Sequence, residues 1–217
     1  MENEVILCKE TRDMWDRKAH WEQVYTTKEL SEVSWYQPVP ETSLNFLKEA
    51  KLSKHAKIVD IGGGDSFLVD HLLDEGFTDL TVVDISENAL ERAKKRLGEK
   101  AEAVKWIAAD ASVLELDEPV DFWHDRAAFH FLTQKKDIEN YLQGLNHSIR
   151  KGGTVVIGTF SENGPTKCSG IEIRQYTEES MSELFDASFE KIKCLETTHQ
   201  TPFNTVQEFV FCSFRKN

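Results

Sequence analysis

The sequence predicts a single α/β domain in which a mostly parallel, seven-stranded sheet carries helices on both faces. Three observations lead there. From residue 57 onward, short β-rich runs alternate with helical patterns. A glycine-rich turn, VDIGGGDS at 59–66, joins the first run to the first of those helices. The last two β-rich runs are joined by a loop too short to hold a crossover helix.

The elements follow in order. KIVDI at 57–61 reads as the first strand and SFLVDHLLDEG at 66–76 as the helix behind it. LTVVDI at 80–85 is the second strand, and SENALERAKKRLG at 86–98 is the next helix. In that helix Ser86 caps an apolar series at Ala89, Leu90, Ala93 and Leu97, and Gly98 stops it. VKWIAAD at 104–110 gives the third strand, 120–123 the fourth, and 154–160 the fifth, after a Lys151-Gly152-Gly153 turn. Runs at 190–197 and 207–214 complete the sheet and should pair antiparallel, which predicts one reversed edge strand. Upstream, residues 15–36 are rich in aromatics. Trp21, Val24 and Tyr25 share a helix face there, which is expected to pack over the C-terminal edge of the sheet. Residues 1–40 thus read as a helical lid and 41–217 as the core of one domain spanning 1–217.

Composition narrows the function classes. With 217 residues, 40% hydrophobic and 29% charged, the chain resembles an ordinary soluble domain, and no apolar run reaches a membrane-helix length. The acidic opening MENEVILCKETRDMWDR has the wrong order for a secretory signal. Cys8, Cys168, Cys194 and Cys212 show neither a CxxC pair nor metal-ligand spacing, so no metal site and no disulfide framework is expected, and a cytoplasmic location fits. A net charge of -12 disfavours nucleic acid as a partner.

The glycine turn calls for a nucleotide-like ligand close to a helix N-terminus. A dinucleotide fingerprint wants a third glycine where this chain has Phe67, and it wants a turn hospitable to a pyrophosphate. Asp60 and Asp65 flank the turn instead. Two carboxylates beside a doubly charged bridge would repel it by several kcal/mol, on the order of Coulomb estimates at intermediate dielectric. S-adenosylmethionine has no phosphate and carries cationic ammonium and sulfonium groups, so the same acids favour it. Asp84, at the end of the second strand, can accept both hydroxyls of a ribose, a feature that NAD enzymes share. Asp110, in Ala108-Ala109-Asp110-Ala111, can accept from an adenine amino group beside small residues that leave room for the ring. An NAD-dependent oxidoreductase and a non-catalytic adenosylmethionine-binding module are the competing readings.

VDIGGGDS, VVDIS, AAD and HDRAAFHFL resemble the successive motifs of class I S-adenosylmethionine-dependent methyltransferases, over residues 15–217. WEQVY and SWYQP also look like small stand-alone bacterial members, some akin to thiopurine or protein-lysine methyltransferases. The resemblance implies a Rossmann-like sheet of order 3-2-1-4-5-7-6 with strand seven antiparallel. It also implies S-adenosylmethionine as cofactor, with Asp60, Gly62, Gly63 and Gly64 at its methionine end, Asp84 and Ile85 at ribose and adenine, and Asp110 and Ala111 at adenine.

Methyl transfer from a sulfonium needs alignment and proton removal more than elaborate catalysis. The end of the fourth strand, His124-Asp125-Arg126, lies where the family places residues beside the methyl group, and His124 is a candidate base and cofactor neighbour. Asp125 and Arg126 are catalytic candidates that equally suit pairing with each other or capping a helix at 127–132, and Arg126 also suits a cofactor carboxylate. The Asn/Asp-Pro-Pro-aromatic motif of nucleobase methyltransferases is missing, so the expected acceptor is a small molecule or a protein side chain. Trp35 and Tyr36, in a proline-interrupted stretch, can close over the methionine moiety, or simply pack in the core. The connection at 163–176 is expected to border the acceptor pocket through Glu172 and Arg174. His130 and His147 read as helix-surface residues, His199 as a turn former and Cys168 as a bystander.

Overall fold

The computed structural model describes residues 16–185 and 188–217; Cys8 and Trp15 lie outside them. Helix α1 (Arg17–Thr27) and a proline-interrupted segment lead to α2 (Glu41–Glu49). Then β1 (Lys57–Ile61), α3 (Leu68–Asp74), β2 (Asp79–Asp84), α4 (Glu87–Leu97), β3 (Val104–Ala108), β4 (Val120–Arg126), α5 (Lys135–Ser148) and β5 (Ile149–Phe160) alternate as anticipated. Helix α6 (Glu178–Phe185), β6 (Phe189–Gln200) and β7 (Val206–Lys216) follow a small ribbon formed by Lys167–Cys168 and Ile171–Glu172.

The seven strands form one sheet of order β3-β2-β1-β4-β5-β7-β6. The first five run parallel, and β7 enters antiparallel to both β5 and β6. The reversed strand is therefore next to the edge rather than on it, because β7 pairs along β5 from Thr154↔Arg215 to Phe160↔Phe209 and leaves β6 outside. Strand β5 begins at Ile149, earlier than expected, and absorbs the glycine turn as an irregularity with Gly152 at φ 76°.

Alternation along the strands builds a core on each face. Val59, Ile61, Trp123, Val155 and Ile157 point toward Ile138, Tyr141 and Leu145 of α5 and Met181 and Phe185 of α6. Ile58, Val82, Phe122 and Val156 point to Phe46 of α2, Leu68 and Leu72 of α3, and Leu90 of α4. Phe122 and Trp123 are both fully buried, as a strand covered on both faces requires.

Two expectations give way. Residues 127–132 form no α-helix: Ala127 has φ 65°, and only a single 3-10 turn, Phe129–Phe131, follows. Asp125 accepts from the N–H groups of Ala128 and Phe129 at 3.1 and 3.0 Å and holds this turn in place. Cys194 and Cys212 face each other across β6 and β7 and are joined by a disulfide, a pairing that linear spacing hides and strand register creates. No helix among the described residues is long and apolar enough to cross a membrane.

Candidate active site

The C-terminal ends of β1, β2, β3 and β4 open into one cleft, roofed by α1 and the segment before α2. Its floor begins at the glycine turn. Gly62 has φ 65°, and a Cβ there would stand 2.5 Å from the Cβ of Ala128, so the β1 and β4 loops meet only because Gly62 lacks one. Gly64, at φ 38°, lies behind the wall; a Cβ on it would fall 2.6 Å from Oδ2 of Asp84 and 3.1 Å from the hydroxyl of Tyr25. Gly63 lines the cleft, and a Cβ there would meet Oδ2 of Asp60 at 2.6 Å. The three glycines thus bring backbone and two carboxylates to one surface.

Asp60, Asp84 and Asp110 all line the cleft, at the ends of three neighbouring strands. Burial pushes the Asp84 carboxyl up to about 7, against a hydrogen bond from the Ser86 N–H and with the charge of Asp60 adding to the rise. Asp110 accepts from the N–H of Ser112 and stands 3.5 Å from Arg17 of α1, which also bonds Asp137. Ile85, Ala109 and Ala111 supply small or apolar surface between these acids.

Asp65 is not the free carboxylate its place beside the glycines suggests. Arg96 binds it at short range, and Arg92 stands 2.9 Å away. The two arginines are four apart on α4 and so share a face, the one signal in the sequence that could have found them. Of the two acids that flank the turn, the charge argument against a pyrophosphate therefore rests on Asp60.

Strand alternation sorts the triplet at the end of β4. His124 and Arg126 face the cleft, whereas Asp125 faces the opposite core. His124 is buried: Nδ1 donates to Asp60 at 2.6 Å, and Nε2 lies 2.8 Å from the hydroxyl of Ser43. Both ring nitrogens are thus occupied by protein. Asp125 accepts from the Tyr141 hydroxyl at 2.8 Å and does not pair with Arg126. Arg126 donates through Nη1 to the Trp35 carbonyl at 3.1 Å, its guanidinium lies 5.2 Å from the Phe209 ring, and burial pulls it down to about 10, so it remains a cation at neutral pH.

Sequence reasoning missed several residues of the site. Trp35 and Tyr36 line the cleft together with Trp21 and Tyr25 of α1. Glu22 on α1 accepts from the Ser86 hydroxyl and from the N–H groups of Glu87 and Asn88, capping α4 from outside the helix. His199 belongs to β6 rather than to a turn. Its Nε2 donates to the Ser34 carbonyl at 2.7 Å, and its Nδ1 meets Gln37 at 3.0 Å, so it anchors the lid segment from behind. Glu172 and Arg174 are exposed, and Cys168 is the residue of that connection that reaches the cleft. His130 is fully buried rather than at a helix surface, and burial, helped by the charge of Arg126, pulls it down to about 3.

Asp60, Asp84 and Asp110 thus share one cleft at the ends of β1, β2 and β3. A model for a methyltransferase domain matches residues 58–153, the stretch that holds all three acids. Residues 58–153 are thus similar to a methyltransferase domain. Among relatives of this chain, the malonyl-[acyl-carrier protein] O-methyltransferase of Anoxybacillus flavithermus is 32% identical over 107 residues, 48% of this chain and 39% of that one. EEF1A lysine methyltransferase 2 of Danio rerio is 25% identical over 201 residues, covering 86% of this chain and 78% of its own. The chain thus spans well under half of the bacterial relative and most of the fish one. A SAM-dependent methyltransferase from Anabaena variabilis shares the fold with a TM-score of 0.73 at 18% identity, over 93% of this chain and 96% of its own.

Proposed function

We propose that this chain carries out in-line methyl transfer to a small-molecule or protein side-chain acceptor. The observation that supports it is the convergence of Asp60, Asp84 and Asp110 on one glycine-floored cleft. In this reading Asp84 and Ile85 receive ribose and adenine, Asp110 and Ala111 the adenine edge, and Asp60 with Gly62 and Gly63 the amino-acid end. Gly64 leaves room for Asp84. Trp35 and Tyr36 close over the sulfonium side.

S-adenosylmethionine supplies a methyl group already activated on sulfonium. The chain's own residues then align the acceptor behind that carbon and exclude water. A bond forms from the acceptor's lone pair to the methyl carbon as the carbon–sulfur bond breaks, the electron pair returns to sulfur, and the acceptor's proton passes to solvent. With both nitrogens engaged, His124 acts as a positioning residue that holds Asp60 and ties α2 to the site. Asp125 supports the turn beneath.

The two named relatives act, by their names, on an acyl-carrier-bound malonyl group and on a protein lysine, so both acceptor classes stay in this proposal. Calorimetric titration with S-adenosylmethionine, S-adenosylhomocysteine and NADH tests it. Affinity for the first two in the range of about 1–100 μM, with no NADH binding, is expected. Silence toward both at about 1 mM would overturn it.

A further inference from the structure

The part of the cleft beyond β4 differs in chemistry from the part above the glycine turn. Its walls are aromatic. Trp21 lies 4.9 Å from Phe131 and 5.7 Å from Trp35, and Phe160 lies 4.7 Å from Phe209. The guanidinium of Arg126 stands among these rings. Its Nη2 is shut off from solvent and has no hydrogen-bond partner. Asp60, the acid whose field reaches it, is already bonded to His124. His130 behind the wall is neutral and has an unpartnered Nε2 of its own.

A guanidinium nitrogen buried without a partner is costly, and aromatic walls give it no oxygen. A carboxylate would satisfy it with a charge-assisted bond that is strong in such surroundings. A protonated lysine would instead bring a second cation against this one.

Position separates this arginine from the adenosine end. Arg126 pairs in register with Gly158 of β5, and its guanidinium leans over Phe209 of β7, whereas Asp84 and Asp110 follow β2 and β3 on the other side of β1.

We propose that this aromatic part of the cleft holds the methyl acceptor, and that the acceptor is a small, flat, apolar molecule bearing one carboxylate or comparable oxyanion, received by Nη2 of Arg126. The proposal rests on the methyltransferase reading of the same cleft and narrows its acceptor class.

The test loads the full chain with S-adenosylhomocysteine and follows binding of benzoate, phenylacetate and indole-3-acetate by saturation-transfer NMR. Benzylamine and benzamide serve as matched cationic and neutral probes. The carboxylates should bind at least about tenfold more tightly than their matched amine and amide. Arg126→Met should abolish that preference and Arg126→Lys retain part of it, while affinity for S-adenosylhomocysteine changes by less than about twofold in either. Equal binding of amine and carboxylate, or no carboxylate binding up to about 20 mM, overturns the proposal. So does a tenfold or so loss of S-adenosylhomocysteine affinity in Arg126→Met, which would assign the arginine to the cofactor. Failure of the unaltered chain to bind S-adenosylhomocysteine would instead overturn the methyltransferase reading itself.

Discussion

Asp84 carries most of the pH dependence that a single residue can impose on this site. Its buried carboxyl titrates at about 7, against an ordinary 3.8, so the folded chain holds a proton that the unfolded chain has already released. Between those values the folded state is the better proton binder, and stability falls as pH rises until the folded group is itself ionised. Asp125, pushed up to about 6 by burial, acts in the same sense. His130, pulled down to about 3, acts in the opposite sense between pH 5 and 6.5, so the Asp84 contribution is read by difference: the thermal midpoint of Asp84→Asn relative to the unaltered ligand-free chain should rise from pH 5 to pH 7.5. Ligand binding runs the other way, because ribose hydroxyls donate to the ionised form. Affinity for S-adenosylhomocysteine should drop by up to about tenfold for each pH unit below 7. Calorimetry across that range would refute the assignment of Asp84 to the ribose if the affinity stayed flat.

At the level of elements, the turn after β4 depends on one side chain. Trp123 donates to the Tyr141 hydroxyl, Tyr141 donates to Asp125, and Asp125 also receives the N–H groups of Ala128 and Phe129. Asp125→Ala would leave three buried donors without an acceptor and should cost about 3–4 kcal/mol in urea unfolding, with Asp125→Asn costing less. A loss below about 1 kcal/mol would mean that the turn holds itself. This turn also shows where sequence reading stops. Apolar spacing in AAFHFL looks helical, but the positive φ of Ala127 that breaks the helix cannot be seen in periodicity. The strands were legible because β-branched runs end in glycine or acid, and so were Asp60, Asp84 and Asp110, each at a strand end. The pairing of Cys194 with Cys212, the place of His199 on β6 and the guanidinium clamp on Asp65 arise from register and long-range approach, which no local pattern encodes.

At the scale of the whole molecule, α1 is held by ring contacts of Trp21 and Tyr25 to Trp35 and Phe131 and by polar bonds. Glu22 joins it to α4 directly behind Asp84. Burial pushes the Glu22 carboxyl up, but bonds from the Asn88 N–H, the Ser86 hydroxyl and the Glu87 N–H outweigh this and hold it below the usual range. Glu22→Ala should weaken S-adenosylhomocysteine binding by about tenfold and cost about 1–2 kcal/mol of stability. Isothermal titration and urea melts read both, and unchanged affinity would show that the lid closes without this tie.

The placement of β7 between β5 and β6 has a consequence for how the chain comes off the ribosome. Strand β6 is synthesised before its only neighbour in the sheet, so residues 189–200 must wait beside an incomplete platform until 206–216 arrive. During that interval β5 presents a bare apolar edge, and a nascent chain stalled short of residue 206 is the species most exposed to wrong partners.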